Sequence, residues 1–131
     1  MARVPELAVA DLGRSLAFYR ALGFQTLWGR PEEGFACIER DGARLMLDEI
    51  GGGRDLDFGG SLEHPLGRGV NLEIAVTAVE PLERSCRRLG ARIVLPLEDR
   101  AYRVGDGKTH VRQFAVADPD GYVLRFSMPM D

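Results

Sequence analysis

Two carboxylates, Glu6 and Glu73, are the first residues in this chain placed to do chemistry, and they lie 67 residues apart in matching settings. Leu7 and Val9, and likewise Leu72, Ile74 and Val76, alternate with their neighbours as strand residues do. The alternation puts each glutamate on the face opposite the apolar one, with Val4 and Ala8 in the first case and Asn71 and Ala75 in the second. By the same rule Arg44, Met46 and Asp48 share one strand face, and Val123, Arg125 and Ser127 share another. Carboxylates on rigid strands suit a cationic or hydrogen-bond-rich ligand, with Trp28, Tyr102 and Phe58 as flat apolar walls. The competing assignment is that Glu6 and Glu73 are solvated, or paired with Arg44 and Arg125, and hold no ligand. Trp28, near a strand end, equally suits core packing.

Other reactive side chains form no constellation. Ser15 falls in a helical pattern with no histidine nearby to activate it. Cys37 and Cys86 sit far apart in apolar patterns and read as buried free thiols of a reducing compartment, so a cytoplasmic location is expected. His64 and His110 are isolated and read as surface residues, and neither CxxC nor paired-histidine spacing occurs. The glycines of residues 51–60 lack the Gly-Lys-Ser/Thr end of a phosphate loop. A formal net charge of −3 leaves no basic footprint for nucleic acid. No apolar run approaches the roughly 18 residues of a membrane span, and Met1 to Glu6 lacks the apolar stretch of a secretion signal.

The elements that must position these residues form a unit used twice. Asp118-Pro-Asp-Gly121 is a turn that feeds an alternating strand through Phe126, and Asp41-Gly42 precedes a similar one. Laying one turn on the other, an offset of 79, puts Met46 on Arg125. Upstream the offset is 67, which puts Leu22-Gly23 on Leu89-Gly90 and Val9 on Val76. The first unit is predicted as a strand over 4–9, a helix over 12–22 capped by Asp11 and closed by Gly23, and strands over 24–28, 35–39 and 43–49. The second is predicted as a strand over 70–76, a helix over 79–89 with Pro81 in its first turn, and strands over 91–95, 110–117 and the stretch after Gly121. The offset grows by twelve residues between Pro96 and Thr109, a polar, turn-rich insertion expected to fold over a ligand and to carry Tyr102. A glycine-rich linker joins the units. The expectation is one domain over 1–131, built of two βαβββ modules at about 1–60 and 68–131.

With Asp-Leu-x-x-Ser-Leu-x-Phe-Tyr at 11–19 and Asp-Pro-Asp-Gly-Tyr at 118–122, the doubled unit resembles the glyoxalase / bleomycin-resistance / extradiol-dioxygenase group, the vicinal-oxygen-chelate superfamily. The resemblance implies an α+β fold whose two tandem modules form a U-shaped mixed sheet with helices on its convex side. It also implies a homodimer whose clefts lie between subunits. The family's metal-ligand positions fall here on Val4, Met46, Asn71 and Arg125. Valine offers no donor, methionine a soft thioether, asparagine a weak carbonyl oxygen, and arginine a cation that repels the ion. In character the chain is therefore similar to the metal-free bleomycin-resistance proteins. That implies a small-molecule (antibiotic) binding protein acting by sequestration, with no catalytic residue, no metal, no cofactor, and no nucleic-acid or membrane partner. Its ligand groove is expected at Glu6, Glu73, Asn71, Met46, Arg44, Arg125, Trp28 and Tyr102, and leans acidic because Glu98 and Asp99 join it. Two alternatives stay open: a metal-dependent lyase, isomerase or dioxygenase with ligands at other positions, and a module that binds a metabolite rather than a drug.

Overall fold

Hairpin chemistry builds the first sheet. Asp41 and Gly42 both take positive φ, 47° and 89°, as a two-residue turn with both central residues left-handed requires. That turn pairs β3 (Phe35–Arg40) with β4 (Ala43–Glu49) without a break, from Arg40 opposite Ala43 to Phe35 opposite Asp48. β2 (Gln25–Arg30) joins the other side of β3 through an irregularity between Thr26 and Trp28, and β1 (Glu6–Val9) runs parallel to β4. The order is β1-β4-β3-β2, so α1 (Leu12–Ala21) must carry the chain from one edge to the other. Its first turn is capped twice. Asp11 accepts from the Arg14 amide at 3.1 Å, and Glu49 at the end of β4 accepts from the Leu12 amide at 2.7 Å. Gly23, at φ 91°, closes the helix, and the Tyr19 ring meets Phe18 and Phe24 edge-on in the core of this unit.

This computed structural model describes residues 3–53 and 56–130. The chain divides into two compact units, Met1–Leu66 and Gly67–Asp131. The second repeats the first: β5 (Asn71–Ala75), α2 (Glu80–Arg88), β6 (Ile93–Val104), β7 (Gly107–Ala117) and β8 (Val123–Pro129), in the order β5-β8-β7-β6. The result is α+β, two four-stranded mixed sheets with one helix each, as two tandem βαβββ modules require. The repeat holds at the level of single residue pairs. Glu6 lies opposite Met46 in the parallel β1–β4 pair, and Glu73 opposite Arg125 in the parallel β5–β8 pair. The turn before β8 is tied by Asp118, whose Oδ1 accepts from the amides of Asp120 and Tyr122 at 2.9 Å each. Behind it Phe114 and Phe126 stack at 5.5 Å, and Ile74, Val79, Leu82 and Cys86 complete the apolar core of the unit.

Three expectations change. The stretch between Pro96 and Thr109 is not a loop: β6 continues to Val104 and pairs with β7 as far as Val104 opposite Gly107. Gly105, at φ 59°, takes the first central position of a tight turn with Asp106. The polar residues mark an exposed two-stranded ribbon; the β6–β7 pairing is irregular between Ile93 and Leu95 and again between Leu95 and Glu98, where Pro96 cannot donate to the ladder. The second helix, predicted to run through Leu89, ends at Arg88, and Leu89 is 47% exposed. β1 begins at Glu6, so Val4 and Pro5 lead into the strand. Among the described residues no helix is long and apolar enough to cross a membrane.

Candidate functional site

The polar face of the second unit is organised by a residue the sequence reading passed over. Gln113 on β7 lies opposite both Ser127 and Glu98, and is 1% exposed. Its Nε2 donates to Glu98 Oε2 at 2.8 Å and to Tyr102 Oη at 2.7 Å, and its Oε1 accepts from Arg125 Nη1 at 3.1 Å. Arg125 in turn donates from Nε to Asn71 Oδ1 at 3.1 Å, and Nη1 lies 3.4 Å from Glu73 Oε2. Ser127 donates to the same Glu73 oxygen at 2.8 Å. Four of the expected groove residues, Asn71, Glu73, Tyr102 and Arg125, thus meet in one connected network, and Glu73 is engaged by Arg125 as the competing assignment had it. The only sequence signal for Gln113 was a lone amide in an apolar strand, in phase with Arg125.

In the first unit the pairing differs. Arg44 bonds Glu39 at 2.8 Å, its direct cross-strand partner, rather than Glu6, and that bond raises the guanidinium pKa. Met46 lies beside Glu6 on the same face and opposite the buried Cys37. Trp28 is 46% exposed but not solitary: its ring lies 5.3 Å from that of Phe35, and the Arg30 guanidinium sits 4.4 Å over Phe35. The Glu6 face also floors a cavity of about 380 Å³, with Ala8, Asp48 and Ile50 beside Glu6. Its other wall is the glycine-rich segment, which brings Leu56, Phe58 and Leu62 over the strands. The apolar side chains in that segment are the feature a composition-based reading as a linker passes over. The cavity pairs carboxylates with apolar walls, a combination suited to a ligand with a cationic and an apolar part.

The remaining charged clusters brace the fold. Arg112 bonds Asp99 at 2.6 and 3.0 Å and Glu80 at 2.7 Å, joining the β6–β7 ribbon to the first turn of α2. The hydrogen bonds from Arg112 hold both carboxyls below their usual range, and that with Asp99 is the main cause raising Arg112 itself. His110 lines a separate cleft of about 390 Å³ with Asp99 and Arg100. Cys86 is buried, which pushes its thiol up to about 11.

The residues at the positions the resemblance gives to metal ligands do not fit a divalent ion. Val4 and Met46 bring no hard donor. Asn71 spends its carbonyl oxygen on Arg125, and Arg125 is a fixed cation already bonded to three neighbours. Among the described residues no three His, Cys, Asp or Glu side chains are grouped to hold a metal.

Residues 4–40 match a family model described as bleomycin resistance protein-like N-terminal. Over nearly its whole length the chain is similar to TioX from Micromonospora sp. ML1, with 25% identity, 99% of each chain covered and a TM-score of 0.74. It shares its fold with the hypothetical protein SA1046 from S. aureus, at 20% identity, 98% and 96% coverage and a TM-score of 0.66. A glyoxalase/bleomycin resistance protein/dioxygenase superfamily member from Vibrio splendidus 12B01 is 35% identical over 97% of each chain, with a TM-score of 0.45. No curated protein sequence matches significantly.

Proposed function

Because the chain belongs to the glyoxalase/bleomycin resistance protein/dioxygenase superfamily, a fold whose members differ by their sites, we propose that it is a metal-free small-molecule-binding protein that works by sequestration. The observation that carries this reading is Arg125. At a position where a metal-dependent relative needs a donor, this chain has a cation tied to Asn71, Gln113 and Glu73. The cavity over Glu6 and Asp48 supports a ligand with a cationic group and apolar bulk, such as a bleomycin-type antibiotic. A carboxylate beside apolar walls acts in a lower effective dielectric than at an open surface, so a cation there gains more. In this reading the protein makes and breaks no bond, is cytoplasmic, and is a homodimer.

Isothermal titration of the purified protein with metal-free bleomycin, beside metal analysis and light scattering, tests it. Saturable binding to a dimer is expected, with Glu6→Gln weakening the affinity about tenfold for one charge-assisted bond. Glu73→Gln should weaken it less, because Glu6 lines the cavity and Glu73 does not. Absence of binding heat, or stoichiometric zinc, iron, nickel or manganese in protein purified without added metal, would overturn the reading.

A further inference from the structure

The hydrogen-bond inventory of the second unit's polar face fixes the direction of several protons. Arginine has donors only, so the Gln113 atom 3.1 Å from Arg125 Nη1 is the amide oxygen. Gln113 Nε2 must then donate, to Glu98 at 2.8 Å and to Tyr102 Oη at 2.7 Å. Tyr102 Oη accepts that proton and keeps its own O–H for another acceptor, and no described residue takes it. The same logic applies to Asn71. Its Oδ1 accepts from Arg125 Nε at 3.1 Å, which leaves Nδ2 as a donor. Arg125 Nη2 bonds no described residue. Glu73 uses Oε2 for Ser127 and Arg125, and its Oε1 bonds no described residue. Asn71, Glu73 and Tyr102 are exposed, while Gln113, which sets the pattern, is buried.

We propose that this face binds neutral amide groups of a peptide-like ligand. A carbonyl oxygen takes the Tyr102 O–H and the Arg125 Nη2 donors, and an amide N–H takes Glu73 Oε1. Gln113 is the positioning residue: by donating to Tyr102 it turns the phenol proton outward. A bare cation gains little here, because Arg125 offsets Glu73, and a bare carboxylate meets Glu73 and Glu98. What remains complementary is an uncharged group with a donor and an acceptor side by side. The proposal rests on the binding-protein reading and adds an amide requirement to it.

The test titrates the ¹⁵N-labelled full chain with glycylglycine diketopiperazine, a neutral compound with two amides, and separately with tetramethylammonium. The diketopiperazine should move the Arg125 Nε–H signal and the Asn71 and Gln113 side-chain amide signals, and tetramethylammonium should leave all three in place. Tyr102→Phe should weaken diketopiperazine binding roughly three- to tenfold, the loss of one neutral hydrogen bond. Gln113→Glu replaces a donor with an acceptor that recaptures the Tyr102 proton. Its loss should match that of Tyr102→Phe, and the double variant should be no weaker than either. Should Gln113→Glu fail to fold beside Glu98, Tyr102→Phe decides alone. The proposal falls if the diketopiperazine leaves the three signals unmoved at tens of millimolar, or if Tyr102→Phe binds it like the parent. Bleomycin binding without diketopiperazine binding would sink the amide assignment and leave the sequestration reading standing.

Discussion

Arg125→Met gives the second unit the residue that occupies the equivalent place in the first, and its cost can be worked from the network. Three interactions are lost. Gln113 Oε1, on a residue 1% exposed, loses its only donor among the described residues, and a buried acceptor left unsatisfied costs about 1–3 kcal/mol. The ion pair with Glu73 spans 3.4 Å between side chains 27% and 51% exposed, so solvent screening limits it to about 0–1 kcal/mol. The bond to Asn71 lies on an exposed residue whose carbonyl water can satisfy. Methionine keeps most of the apolar stem, so the expected destabilisation is about 2–3 kcal/mol, most of it through Gln113. Urea unfolding of the full chain measures it, with Glu73→Gln as the control, expected to cost under about 1 kcal/mol because only the screened pair changes. A variant within about 0.5 kcal/mol of the parent, the range of an ordinary surface change, would refute the role given to the Arg125–Gln113 bond. So would a control as costly as Arg125→Met.

Arg112→Leu gives a pH signature. Asp99 and Glu80 have folded-state pKa values below their unfolded ones, so their bonds to Arg112 stabilise fully above the unfolded carboxylate range and are lost as pH falls through the folded values. The parent's lead in Tm over Arg112→Leu should therefore be complete at neutral pH and shrink below about pH 4; an undiminished gap in strong acid would remove that triad. Gly67→Ala tests a close approach instead, since a Cβ there would stand 2.6 Å from Tyr122 Cα and 2.8 Å from the Gly121 carbonyl oxygen. Backbone cannot yield as a flexible side chain does, so a loss of about 1–3 kcal/mol is expected in thermal or urea unfolding, and a neutral result would show the contact to be slack.

Much of the fold was legible because local chemistry decides it. Asp41-Gly42, Gly23, Gly90 and the Asp118 turn each sit where only certain residues accept the required φ or supply the required acceptor, so the boundaries they set survive. The β6–β7 ribbon was not legible from composition, because an exposed two-stranded ribbon and a loop draw on the same polar residues. What separates them is the strict alternation of Glu98, Arg100 and Tyr102 with Asp99, Ala101 and Arg103, closed by Val-Gly-Asp-Gly. Leu89 was misplaced for a different reason: one apolar residue at helical spacing carries no information on where the helix stops.

For the site, alternation was enough to choose a face but not to choose partners. Arg44 and Arg125 each bond a carboxylate directly opposite on a neighbouring strand, yet in different directions. Arg44 turns to Glu39 across an antiparallel pair, and Arg125 to Glu73 across a parallel one. Which neighbour wins depends on register, and register is set by turns and bulges far from either residue. The equivalence of Met46 and Arg125 then gives the two copies of one frame different polar faces. Methionine offers Glu6 no cation across the parallel pair, whereas Arg125 reaches Glu73, and the Glu6 face lines the cavity proposed to read charge. Arginine engages Glu73, is braced by Gln113, and turns the second unit's face toward directional hydrogen bonding. A single position in a duplicated strand thus separates the two proposals, charge recognition in the first unit and amide recognition in the second.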